Sequence, residues 1–69
     1  MSFQRRKILR LLLRKGMYVA RERGPHTILE GKPGRLAVLP HGKQIKRGTA
    51  RQIARTAKID WDEFRKEVS

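Results

Sequence analysis

Glycine and proline recur so often in the middle of this chain that no long helix can run there. Between Gly16 and Gly42 no stretch longer than seven residues is free of them, and the pieces between read MYVARER, HTILE and RLAVL. Each has the length of a strand, and their Val, Ile, Leu, Thr and Tyr suit a pleated, half-buried surface. The breaks carry turn chemistry. Gly24-Pro25 separates the first two pieces, and GKPG (31–34) puts its proline and glycine in turn-forming positions. Pro40 closes the third piece. The predicted strands are 17–22, 26–30 and 35–39. Joined in order, they make a three-stranded antiparallel meander.

On both sides of this block the apolar spacing becomes helical. Residues 2–15 read as a helix with Ser2 as its cap and Gly16 as its stop. Ile8, Leu9, Leu12 and Leu13 share one broad face, Lys7, Arg10 and Arg14 lie opposite, and Leu11 falls on a flank. Arg5 lands on the apolar side and Phe3 on the basic side, which predicts an irregular start. After a basic loop, HGKQIKRG (41–48), Thr49 opens a second helix, with Gln52 completing a capping box. Ala50, Ile53, Ala54 and Ala57 form a narrow face that lets this helix approach the sheet closely. Asp60 with Glu63 predicts the N-cap of a short last helix in which Trp61 and Phe64 pack inward. The expected architecture is α+β, in the order αβββα plus a short terminal helix, as one domain over residues 1–69.

A chain of 69 residues buries only about 60% of its unfolded surface. Small domains often lean on disulfides or a metal. Cysteine is absent, which excludes disulfides and thiolate metal sites, and two histidines among few acids make a poor structural zinc site. The charge is the dominant composition signal: 18 Lys and Arg against 6 Asp and Glu give a net +12. Such an excess repels itself within the fold and attracts polyanions, nucleic acid above all. The amino end is basic and then apolar, but its apolar run is cut by Arg10 and Arg14, lacks a small-residue cleavage site and is too short to span a bilayer. The expectation is a soluble cytoplasmic protein, with a membrane-surface helix over residues 2–15 as a lesser reading.

The cations form groups. Arg51, Arg55 and Lys58 make one stripe on the second helix, and no acid within that helix stands four residues away to pair with them. Lys43, Lys46 and Arg47 precede it, and Gly48-Thr49 sets the free N–H groups of a helix start beside them, a ready anion site. Arg6, Lys7, Arg10, Arg14 and Lys15 mark the first helix, where their stems also cover apolar surface. His41, between Pro40 and Gly42, reads as a surface residue or as a support near phosphate. His26 follows Gly24, which frees the backbone to turn, and Pro25, whose φ is fixed. An imidazole held there beside arginines could move protons at neutral pH while they neutralise phosphate, or it could be structural.

These residues, in this order, closely resemble the HicA-type toxins of bacterial and archaeal toxin–antitoxin pairs. The family pattern is a helix ending in glycine plus a bulky apolar residue, then G-S-H, V-P-x-H, G-T-L-x-x-I-L-x-x-A-G-(I/L) and an acidic-aromatic ending. Gly16-Met17, Gly24-Pro25-His26, Leu39-Pro40-His41, Gly48-Thr49 with Ile53, Ala57 and Ile59, and 61–64 fill these elements. Pro25 stands in place of the usual serine, and His41 follows Pro40 directly. The resemblance implies a double-stranded-RNA-binding-domain-like fold and a metal-independent, cofactor-free endoribonuclease that cleaves mRNA. It makes His26 the catalytic residue, with His41 as a possible auxiliary. RNA-binding candidates are Arg21, Arg23, Lys43, Lys46, Arg47, Gly48, Thr49, Arg51 and Arg55. It implies a HicB-type antitoxin as partner to a monomeric free toxin. The alternative is a non-catalytic RNA- or DNA-binding module on the same fold.

Overall fold

The computed structural model describes residues 2–69. The elements are β1 (Ser2–Gln4), α1 (Arg5–Arg14), β2 (Tyr18–Arg23), β3 (His26–Glu30), β4 (Leu36–Pro40), β5 (Gln44–Lys46), α2 (Arg47–Thr56) and α3 (Trp61–Glu67). The meander is present: β2, β3 and β4 pair antiparallel in that order. With two helices and a short third, the fold is α+β, consistent with the αβββα arrangement of double-stranded-RNA-binding domains.

Two predicted features are corrected at the amino end. Ser2 caps no helix, because residues 2–4 form a strand paired with β5, and Phe3 stands opposite Ile45. Both side chains are buried, and the Phe3 ring meets Trp61 edge to face at 5.9 Å between centroids. Burying an aromatic this way outweighs one more helical turn. The loop expected over 41–48 therefore contains β5, and the backbone enters α2 at Arg47. Lys46 is the N-cap, with no side-chain cap bond, so the expected Thr49–Gln52 capping box does not form.

The second correction concerns the buried side of α1. Ile8, Leu11 and Leu12 are fully enclosed, Leu9 is partly so, and Leu13 is 49% exposed. At about 100° per residue, Leu12 and Leu11 flank Ile8 on either side and Leu13 points away from it; Arg5, at the edge of this stripe, turns its guanidinium to Pro40 O and Thr27 Oγ1. Leu11 joins the core and Leu13 leaves it.

Both long helices end the same way. At α1, Met17 N donates to Leu12 O and Gly16 N to Leu13 O; at α2, Ile59 N donates to Ala54 O and Lys58 N to Arg55 O. These are Schellman motifs, which need a left-handed residue. Gly16 fills that place at φ 89°, and Lys58 fills the other at φ 62°. The predicted cap of α3 is present, since Glu63 N donates to the Asp60 carboxylate at 3.2 Å. Ion pairs Arg14–Glu67 and Lys15–Glu63 tie α3 to α1. Phe64, fully buried beneath, contributes about 1.5–3 kcal/mol by leaving water.

Candidate functional site

The faces of the sheet are set by alternation. Leu29, Ala37 and Leu39 belong to the core shared with the helices, while Ile28 is buried apart from it. Since direct cross-strand partners share a face, Thr27 (opposite Leu39) lies on the helix side. His26, Ile28 and Glu30 lie on the open side.

A bulge decides what faces these residues from β2. Tyr18 and Val19 pair with Glu30 and Leu29, but Arg21, Glu22 and Arg23 pair with Ile28, Thr27 and His26. The extra residue, Ala20, shifts the register by one and exchanges the faces of everything after it. In an unbroken ladder Glu22 would stand beside His26. The bulge instead puts Arg23 beside His26 and Glu22 beside Thr27.

His26 is exposed, and its ring has no hydrogen-bond partner among the described residues. Arg23, its neighbour, has no acidic partner there, whereas Arg21 contacts Glu30 at 3.4 Å. The open face around them is partly apolar: Tyr18, Leu36 and Val38 are exposed.

The helix side of the same sheet end holds a polar network that the sequence did not reveal as a unit. Thr27, the one buried polar residue among those described, accepts a hydrogen bond from Arg5 Nη2 at 2.7 Å and donates to Glu22 Oε1 at 2.8 Å. His41 Nε2 lies 3.3 Å from Thr27 Oγ1 and 3.2 Å from Glu22 Oε1. Arg5 Nε donates to Pro40 O at 2.9 Å, and the backbone of His41 donates to Pro25 O at 2.9 Å. The Thr27 hydroxyl, and then the hydrogen bond of His41, hold the Glu22 carboxyl below its usual range; desolvation opposes them, and the charges of His41 and Arg5 add lesser lowering effects. Arg5, Glu22, Thr27, His41, Gly42 and Lys43 line a shallow cleft, continuous through Arg5, Gly42 and Lys43 with another that adds Gln4, Arg6 and Gln44.

The RNA-binding candidates are thus not gathered in one place. Arg21 and Arg23 share the open sheet face with His26, and Lys43 lies at the cleft with His41. Lys46 is exposed on β5. Arg47 and Arg51 sit over the Trp61 ring, at 5.9 and 5.0 Å from its centroid, and Arg55 is exposed near the end of α2. Gly48 and Thr49 lie inside the first turn of α2 rather than at its cap. Arg5, Glu22 and Thr27 were missed. The one local signal was Arg5 on the apolar side of its helix. No helix of the described residues is long and apolar enough to cross a membrane.

A family model described as the HicA toxin of bacterial toxin–antitoxin systems matches residues 5–59, a span that contains both histidines and the whole polar network. No curated protein matches the chain.

Proposed function

The chain belongs to the HicA toxin family, and from that premise we propose that it is a metal-independent endoribonuclease acting on mRNA, with His26 as its general base. The observation carrying this reading is the placement of His26: solvent-exposed at the end of the sheet, without a hydrogen-bond partner among the described residues, and across the ladder from Arg23.

Neutral His26 takes the proton of a ribose 2′-OH. The freed oxygen attacks the adjacent phosphorus, the 5′-oxygen leaves, and a 2′,3′-cyclic phosphate remains. Arg23 and the neighbouring cations stabilise the charge that grows on the phosphorane. Membership of the family implies an antitoxin partner. We take it to be of the HicB type, an acidic protein steered to this cationic surface by its field.

The assay uses pure protein, end-labelled RNA and EDTA. Wild type should cut RNA and leave DNA of the same sequence intact, since DNA lacks the nucleophile. His26→Ala should be slower by about 10²–10⁴-fold, the usual worth of general base catalysis. Equal rates for the two proteins would refute the role of His26, and a cut DNA would refute the chemistry. A non-catalytic RNA-binding module has one observation in its favour: among the described residues no side chain is hydrogen-bonded to the His26 ring. Retention of RNA by wild type without cleavage is its signature.

A further inference from the structure

In the Arg5–Thr27–Glu22–His41 network only Thr27 is buried, and the Glu22 and His41 side chains are half exposed. No packing need calls for a glutamate, a histidine and an arginine around one buried threonine.

Its hydrogen-bond directions are determinate. A carboxylate only accepts, so the Glu22–His41 contact at 3.2 Å requires His41 Nε2 to carry the hydrogen. Thr27 gives its own hydrogen to Glu22 and accepts from Arg5. Nδ1 of His41 therefore carries the exchangeable proton, and it has no partner among the described residues. An imidazole anchored through one nitrogen by a carboxylate, with the other nitrogen free, is the arrangement of an oriented proton carrier.

The cleft beside it is built for an anion. Arg5, Arg6 and Lys43 line it, and among the described residues none of the three has an acidic partner. The amino end of the ten-residue α1 opens there, with no side-chain cap and no acid in its first turn; Arg5 N donates to Lys43 O at 2.9 Å, which leaves the next N–H groups of the turn. Arg5 Nε and Nη2 are each bonded to the sheet end, which fixes the plane of the guanidinium and leaves Nη1 for a ligand. Helix N–H groups and fixed cations together favour a phosphate.

We propose that the scissile phosphodiester crosses the end of the sheet, its phosphorus reached by the cleft cations from one face and by Arg23 and His26 from the other, and that His41, positioned by Glu22, is the general acid that protonates the leaving 5′-oxygen. The proposal rests on the ribonuclease reading above and supplies its second proton transfer. His26 and His41 flank the last rung of the ladder, His26↔Pro40, from opposite faces of the sheet. An in-line displacement needs its base and acid on opposite sides of phosphorus. The 2′-O–H proton passes to His26 as the O2′–P bond forms. The P–O5′ bond breaks with its electron pair on oxygen, and O5′ takes the proton from Nδ1 of the His41 imidazolium, which is left neutral and recovers a proton from water. Nothing is oxidised or reduced. His41 is the catalytic residue here, whereas Glu22 and Thr27 are positioning residues.

The test separates the leaving group from everything else. An RNA cleaved by wild type is mapped to one scissile bond and resynthesised with sulfur in place of the bridging 5′-oxygen there. A thiolate leaves without help from an acid. His41→Gln should slow the ordinary RNA by about 10²-fold or more and leave the sulfur-bridged RNA at the wild-type rate, and Glu22→Gln should show the same selectivity at smaller size. His26→Ala should slow both substrates. Because the His41 side chain is half exposed, its replacement disturbs no core, and the sulfur substrate also reports a folded enzyme. If His41→Gln slows both RNAs alike, or neither, the assignment of His41 falls while the ribonuclease reading stands. If wild type cuts no RNA at the mapping stage, the ribonuclease reading falls, and this inference with it.

Discussion

Replacing Thr27 by valine tests the network without opening a cavity, since the two side chains have nearly the same shape. The hydroxyl is buried and takes a 2.7 Å hydrogen bond from the Arg5 guanidinium. A hydrogen bond to a charged group is worth about 1.5–3 kcal/mol net. Arg5 is only half-buried and can recover some water, which places the loss near the lower bound, about 1.5 kcal/mol. For a domain of this size that lowers Tm by about 6–12 °C. The second hydrogen bond, to Glu22, adds a pH signature. The native carboxyl is depressed, so its contribution is present above the ordinary carboxylate range and is lost as pH falls through the depressed value. Thr27 is the largest cause of that depression, so the variant should lose less stability than wild type on acidification through this window. Urea melts at neutral pH and across the acidic range measure both effects. A variant as stable as wild type at neutral pH would refute the structural role of the hydroxyl. A gap between the two proteins that does not narrow on acidification would refute its coupling to Glu22.

Lys58 holds a left-handed conformation that costs a non-glycine residue about 1–2 kcal/mol, while glycine gives back about 0.5–1 kcal/mol in chain entropy. Lys58→Gly should therefore raise the thermal midpoint by a few degrees, at the position where the family pattern carries glycine; a lower midpoint would contradict the cap geometry. The rotation of α1 predicts a contrast between neighbours. Leu12→Ala should lose about 2–5 kcal/mol and Leu13→Ala less than about 0.5 kcal/mol, read from denaturant midpoints, and similar losses at both positions would refute the assigned face.

The parts of this fold legible in the sequence are those fixed by local chemistry. Gly24-Pro25, GKPG and Pro40 divide the meander because turn residues act on their own backbone. Asp60 announces α3 because a cap reaches only three residues. The clip of β1 on β5 had no such signal. Three residues make too short a pattern to read, and Phe3 meets Ile45 far along the chain. For the same reason the choice between Leu11 and Leu13 was open in the sequence, since both fit helical spacing, and only packing against the rest of the core decides it. The two histidines could be singled out one by one. Their companions could not, because the bulge at Ala20 changes which face Arg21, Glu22 and Arg23 present, and alternation counted along an unbroken strand assigns each of them to the wrong side.

Net charge raises the expectation of a polyanionic partner without locating it, and here the acids are a better guide to the proposed site than the bases. Only four of the 18 Lys and Arg stand in ion pairs among the described residues. Free cations are consequently everywhere, and one more says little. The six acids are scarce, and five have evident structural duties. Glu63 and Glu67 hold α3 to α1, Asp60 caps α3, Asp62 pairs with Arg65 within it, and Glu30 pairs with Arg21. Glu22 alone stands in a cationic cleft. There it weakens the field that would attract phosphate and leaves Arg5, Arg6 and Lys43 to offset it. A residue that opposes binding at the place best built for binding needs another use. Its contacts to Thr27 and His41 supply one: they decide which nitrogen of His41 is left free to carry a proton.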